Sequence, residues 1–244
     1  MKKILLLLFL FSLLFENDRL SAQSEIIEKL DAYRVPYEAF MLSLTLTSFK
    51  GGKVDEAARF DVYLDGDDKS LVIAKEYSTR DMKILYVDEN MWVHIPNTHR
   101  PIRITPVQRL MGEAANGDVA RVSYGQDYTV ETVGDTVIAG VSCFILKLLA
   151  QKKSATYHKI ILYAQKNNYM PVQAQYFLIS GKHFKSAYFE CYEKIHGKPV
   201  LTKLTIYDQI RKNRKTTFEY FNIKKKKMPA KYFNKNYLVH LKGF

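Results

Sequence analysis

The sequence predicts a mainly β domain with a few helices, its strands running as an antiparallel meander beneath a short apolar lid. Three observations lead there. From Ala39 onward apolar residues recur with a period of two. Turn signals punctuate the chain at Gly51-Gly52, Asp65-Gly66-Asp67, Gly134-Asp135, Lys152-Lys153, Asn167-Asn168, Ser180-Gly181, His196-Gly197 and Lys212-Asn213. Strands do not alternate with helix-length patterns and no internal repeat is present, which argues against βαβ units and a parallel sheet.

The first element is a leader. Lys2 and Lys3 precede an apolar run from Ile4 to Phe15, and a small-residue site follows at Leu20-Ser21-Ala22. That order reads as a secretory signal peptide over residues 1–22, with a single exported domain over 23–244. The run is shorter than the roughly 20 residues that span a bilayer. No cysteine follows it, so the expected product is periplasmic and not itself lipid-anchored.

Next, Ser24 is positioned to cap a helix whose Ile26, Ile27, Leu30 and Tyr33 share a face, with Pro36 as its stop. In "FMLSLTLTSF" Phe40, Leu42, Leu44 and Leu46 fall on one side of a strand, and in "ARFDVYLDGD" Phe60, Val62 and Leu64 do the same. The stretch from Met91 to Asp118 is the least ordinary. Trp92, Val93 and Ile95 end a strand at Pro96, and Thr105-Pro106 opens a helix with Val107, Leu110 and Met111 on one face. Gly112 and Asn116-Gly117 then break that helix. Long connections of this kind are commonly lids. Arg100, Arg103, Arg109 and Arg121 would meet lipid headgroups or pin the lid to the rim. Beyond Gln126, "VSCFILKLL" is apolar on both faces, with Phe144, Leu146 and Leu148 opposite Cys143, Ile145 and Leu149. A sheet with one solvated face alternates more cleanly, so this one either closes or curls around something.

Charge limits the partners. The formal net charge is +12, and removing the leader's three basic and two acidic residues lowers it by one. In an exported protein such an excess favours anionic membrane surfaces and envelope polymers over nucleic acid, with Lys224–Lys227 and Arg211–Lys215 as the densest runs. Cys143 and Cys191 are the only cysteines. The meander separates them by three strands, about 14 Å at ~4.8 Å per step, whereas a disulfide needs Cα atoms within about 7 Å. Two buried free thiols are expected.

Enzyme chemistry finds little support. His94 and His99, with Asp88, Glu89 and Glu113 nearby, match no metal-ligand spacing. Ser123, Ser142 and Ser180 lack a Gly-x-Ser-x-Gly turn or an adjacent base, and no phosphate-cradling glycine loop is present. The reading is a non-enzyme without cofactor or metal.

The segments "MWVHIP…RPIRI…QRLMGEAANGDVA", then "G…C..L.L.A", then "PV.A.Y....G", resemble the outer-membrane lipoprotein-sorting family related to the periplasmic lipoprotein carrier LolA. The likeness runs from about Tyr37 to Leu238, and the block from Trp92 to Asp118 is its most specific part. It implies a curved, incomplete antiparallel β-barrel whose helices close an apolar concave face, and a role in binding acyl chains. On that reading the pocket is lined by Leu42, Leu44, Leu46, Phe60, Val62, Leu64 and Trp92. Leu110 and Met111 sit on the lid, and Arg100, Arg103 and Arg109 stand at its rim. The expected partners are an acylated lipoprotein or lipid and a membrane-bound donor or transporter, with the chain acting as a monomer. Two other readings stay open at this level: an envelope-stress sensor that binds lipid, and an accessory of a lipid-exporting transporter.

Overall fold

A computed structural model describes residues 22–241 apart from 67, 77–80 and 122, so the leader before Ala22 lies outside the described residues. The chain enters through helix α1 (residues 22–31) and then forms β1 (Ala39–Lys50), β2 (Lys53–Asp65), β3 (Lys69–Ala74), β4 (Lys83–Val87), β5 (Asn90–His94) and β6 (Ile102–Ile104). A crossing segment carries the short strands β7 (Arg109–Met111) and β8 (Ala114–Ala115) and helix α2 (Asn116–Ala120). There follow β9 (Tyr128–Ile138), β10 (Val141–Ala150), β11 (Lys159–Gln165), β12 (Pro171–Phe177), β13 (His183–Ile195), β14 (Lys198–Asp208) and β15 (Arg214–Lys225).

Thirteen of these strands form one antiparallel sheet in the order β6-β5-β4-β3-β2-β1-β15-β14-β13-β12-β11-β10-β9. The chain starts in the middle, meanders outward to one edge at β6, jumps to the other edge at β9 and meanders back to lie beside β1. β6 and β9 do not pair, so the curved sheet stays open rather than closing into a barrel. Residues 105–127 link the two edges and cross the hollow side, where Met111, Ala114, Val119 and Ala120 join the core.

The main core lies on that concave side. Leu42 faces Val62 and Leu44 faces Phe60 across β1 and β2, while Leu44 faces Tyr220 and Leu46 faces Phe218 across β1 and β15. Leu30 of α1, Met111, Ala114, Val119 and Ala120 complete it from the open side. Ile26 and Ile27 pack partly against it and Tyr33 is buried, as the helical spacing predicts. Ser24 lies inside α1 instead of capping it, because the helix is already formed at residue 22.

A second cluster occupies the convex face of β1–β5. Met41, Tyr63, Leu71, Ile73 and Leu85 alternate with the inward residues and are covered by Met228, Phe233, Leu238 and Leu241 of the C-terminal segment. This is where two-faced burial occurs. The outer face of β10 is covered unevenly, with Cys143 buried, Ile145 partly buried and Leu149 38% exposed.

Two local expectations are corrected. The β9–β10 turn is Ala139-Gly140, both at positive φ (48° and 82°), as two-residue hairpins prefer. Gly134 instead pairs with Ile145 beside a register shift in which Val133 is the extra residue, so β9 runs on through Gly134-Asp135. Cys143 on β10 and Cys191 on β13 are both free, with two strands between them. Cys143 is buried, but Cys191 is exposed because paired register shifts beside it break the inside-outside alternation of β13.

Candidate functional site

The site is the filled concave face and the segment that fills it. The expected helix over Val107, Leu110 and Met111 does not form. Asn116 N donates to the Gln108 carbonyl (2.9 Å) and Gly117 N to the Pro106 carbonyl (2.9 Å). The backbone groups a helix would pair locally are therefore taken by a tight hairpin. Gly112 and Gly117 act as close-approach points rather than helix breakers. A Cβ on Gly112, whose φ is +52°, would lie 2.4 Å from Thr216 Oγ1 and 2.5 Å from Ser48 Oγ, and one on Gly117 would lie 2.0 Å from Thr156 Oγ1. Asn116-Gly117 opens α2: Asp118 reaches back to accept from Ala115 N (2.8 Å), the return half of a capping box.

Polar pins hold this plug. Ser70 Oγ on β3 donates to the Ala120 carbonyl (2.6 Å). Glu113 N donates to Thr216 Oγ1 (2.7 Å), and Arg211 spans Glu113 (3.2 Å) and Asp208 (2.7 Å). Arg121 and Asp127 form a fully buried ion pair, and the Arg121 guanidinium also donates to the Ser154 carbonyl (2.5 Å) and lies 4.4 Å from the Tyr86 ring centroid. Burial, and next the charge of Asp208, push the Glu113 carboxyl up. Burial also opposes ionisation of Asp208, but the amides of Arg211 and Ile210 and the Arg211 side chain outweigh it and lower its pKa.

Beneath the plug stands a group of tyrosines. Tyr157 stacks on Tyr176 at 4.1 Å and donates to both Asp118 oxygens (2.7 and 2.8 Å), with Lys185 Nζ 4.0 Å from Asp118. Burial pushes the Tyr157 and Tyr176 phenols far up, so they remain neutral hydrogen-bond donors. A residual cavity of about 30 Å³ opens among Tyr124, Tyr128, Tyr157, Tyr176, Phe189 and Phe218. A smaller one of about 10 Å³ lies beside Phe40, Leu42, Val200 and Tyr220. The larger holds about one water. A hydrocarbon chain entering this concave core would have to displace the plug. Among the described residues no group of three or more His, Cys, Asp or Glu is placed to hold a metal ion. No helix among them is long and apolar enough to cross a membrane.

A family model described as "Uncharacterized protein" matches residues 66–240. The structure of a LolA superfamily protein from Nitrosomonas europaea superimposes with a TM-score of 0.83 at 28% identity, over 88% of this chain and 98% of that one. The chain belongs to the family of the model that matches residues 66–240, and its fold is LolA-like. Two further structures share the LolA-like fold. A DUF1329 family protein from Desulfovibrio piger aligns at TM-score 0.75 and 20% identity, over 89% of this chain and 98% of that one. An outer membrane lipoprotein-sorting protein domain from Vibrio parahaemolyticus aligns at 0.74 and 17%, over 90% and 99%. No curated protein matches the chain.

Within this LolA-like frame the residues named from sequence are brought together only in part. Leu42, Leu44, Leu46, Phe60, Val62 and Leu64 all face the concave core and are at most 5% exposed. Only Leu42 borders one of the two residual cavities; the others form the packed floor. Met111 is buried in the same core and Leu110 packs partly against it, but as neighbours on β7 and not as a helix face. Trp92 is corrected. It packs against the convex cluster, because β5 presents Met91 to the concave side and the next residue points away. The three rim arginines do not share a rim. Arg103 faces Trp92 in the ladder and donates to Asn90 Oδ1 (2.5 Å), Arg109 borders a hollow with Glu113 and Arg211, and Arg100 is exposed in the loop before β6. Arg121, expected to meet headgroups or pin the lid to the rim, is buried away from any headgroup, and its guanidinium ties the crossing segment to the Ser154 carbonyl. The tyrosines went unforeseen, although Tyr124, Tyr128, Tyr157, Tyr176 and Tyr220 are aromatic positions of the second half, where the alternation is weakest.

Proposed function

We propose that this protein is a periplasmic carrier that takes the acyl chains of a lipoprotein or lipid onto the concave face while residues 105–127 swing aside. On this reading it receives cargo from a membrane-bound donor, moves it towards the outer membrane and performs no catalysis. The observation that carries the proposal is the composition of the plug. Gly112, Ala114, Ala115, Gly117 and Ala120 are small, and Met111, Val119 and Tyr124 are its larger buried apolar anchors. Lifting such a segment uncovers little apolar surface per residue. Each methylene buried in its place returns about 0.8 kcal/mol, so a sixteen-carbon chain returns about 12 kcal/mol before ordering costs. The likeness to a LolA superfamily protein and to a lipoprotein-sorting domain supports the same reading.

The test is to tether the plug. Ser70→Cys and Ala120→Cys, placed where side chain and main chain already touch, are combined in a Cys191→Ser background. Displacement of a fluorescent fatty acid should then occur in the reduced form and be lost in the oxidised form. Equal loading of both forms rejects an opening plug.

A further inference from the structure

Arg34 occupies an unusual position in this concave interior. It follows α1, and its backbone is fixed on both sides. Arg34 N and Val35 N donate to the Asp31 carbonyl (2.8 Å each), Leu201 N of β14 donates to the Tyr33 carbonyl (2.8 Å), and the Tyr33 hydroxyl donates to the Asn168 carbonyl (3.0 Å). The partly buried side chain lines both residual cavities, and its guanidinium stands 5.2 Å from the Tyr124 ring centroid.

The acids of this interior are committed elsewhere. Asp31 accepts from Ser123 Oγ (2.7 Å), Tyr124 N (2.7 Å) and Gly125 N (2.9 Å). Asp118 serves Tyr157, Ala115 and Lys185, and Asp127 pairs with Arg121. Among the described residues no carboxylate forms an ion pair with Arg34 within 4.0 Å, and Asp31 acts on it only through space. Beside it the Tyr124 hydroxyl is buried and reaches no hydrogen-bond partner of normal geometry. A partly desolvated cation and a buried hydroxyl both cost free energy until they meet an acceptor. Here the two share a single deficit, which one anionic group could satisfy.

We infer that Arg34 and Tyr124 form a receptor for the anionic head of an acyl-chain ligand, a carboxylate or a phosphate, whose hydrocarbon lies along the apolar walls on either side. This rests on the acyl-carrier reading above and narrows the cargo to an anionic lipid. The surroundings supply the hydrocarbon side, with Phe40, Leu42, Val200 and Ile223 flanking one cavity and Phe189 and Leu204 the other. Because Tyr124 belongs to the crossing segment and Arg34 to the entry segment, an anion bound to both draws the plug down over its own chain.

The experiment measures displacement of a neutral naphthylamine dye from the mature chain by palmitate, dipalmitoyl phosphatidate and hexadecanol. At least one anion should bind about tenfold tighter than hexadecanol, as charge-assisted hydrogen bonds imply. The tighter of the two identifies the head as carboxylate or phosphate. Arg34→Gln should bring the anions to the affinity of hexadecanol, Arg34→Lys should restore part of the difference, and Tyr124→Phe should lower anion affinity several-fold. If Arg34→Gln does not fold, Tyr124→Phe, which keeps the ring, still decides. Hexadecanol binding as tightly as both anions overturns the inference and leaves the carrier reading standing. A uniform loss for all three ligands in Tyr124→Phe overturns it too, since that marks a packing role. Failure of the wild type to bind any of them removes both readings.

Discussion

Gly117 shows how far a single side chain governs this site. The space a Cβ would need is taken by Thr156 Oγ1 at 2.0 Å and Thr156 Cγ2 at 2.9 Å. Thr156 lies in the β10–β11 connection, so the plug is locked to the second half of the sheet at a point where only glycine fits. Gly117→Ala should therefore lower stability by about 2 kcal/mol, the usual scale for overpacking a buried site. Thr156→Ala combined with it should recover part of that loss. A denaturant double-mutant cycle with no coupling between the two positions would mean that the plug shifts to accommodate the methyl group. Met111 and Leu110 teach a complementary lesson. The former is 3% exposed and the latter partly buried, so of two adjacent apolar residues only one anchors the plug fully.

The plug as an element behaves as a clip whose tip is titratable. Glu113 stands in the turn between β7 and β8, held under Arg211 and beside Asp208. Its folded pKa is raised above the ordinary 4.5, so between those two values the folded state binds more protons than the unfolded chain. Stability from this group is thus fully present below pH 4.5 and declines as pH rises through the folded value. Asp208 works the other way. Its folded pKa is lowered from 3.8, and the stability it contributes is lost as pH falls below that. Glu113→Gln should flatten the decline above pH 4.5, while the acid limb persists because the Arg211 and Ile210 amides still hold Asp208. Unfolding by denaturant across pH 3 to 8 measures this, and parallel curves for the two proteins would place the linked proton on another group. The same turn explains why a helix was the wrong expectation. Val107, Leu110 and Met111 do have helical spacing, but two long-range constraints, Gly112 against Ser48 and Thr216 and Gly117 against Thr156, draw the chain out.

Taken as a whole, the molecule separates its two basic runs. Arg211–Lys215 closes the β14–β15 hairpin and Lys224–Lys227 ends β15, so most of that strand, about 30 Å from Lys215 to Lys224 at ~3.3 Å per residue, lies between them. A flat bilayer meets one end or the other. Exposed aliphatic residues accompany the hairpin end, where Ile210 is 50% exposed, Val54 62% and Ile179 84%. The three hairpin tips involved are neighbours, with Gly51 N donating to the Asn213 carbonyl (2.9 Å) and Gln209 N to the Phe184 carbonyl (2.9 Å). Liposomes containing anionic lipid should therefore bind the protein in a salt-sensitive way, since exposed attraction is screened over about 8 Å at physiological ionic strength. Glutamine in place of Lys212, Arg214 and Lys215 should weaken cosedimentation more than glutamine at Lys224–Lys227. The reverse ranking would turn the molecule over, and salt-independent binding would assign both runs to solvation alone.

Local chemistry made much of this legible in the sequence. The period of two from Ala39 onward placed the strands, and most hairpin turns fell where Gly, Asn and Lys cluster. The inward faces of β1 and β2 could be read residue by residue, because side chains alternate strictly along a strand. The spacing of Cys143 and Cys191 in the meander ruled out a bridge. The tertiary structure alone decided the path of residues 105–127, since the jump from edge β6 to edge β9 is a property of the whole strand order and leaves no periodic trace. It also decided which face Trp92 serves, for a strand with cover on both sides gives no inside-outside contrast to read. The pairing of Arg34 with Tyr124 belongs to the same class. One follows α1 and the other lies 90 residues on, and only the closing of the plug over the sheet makes them neighbours.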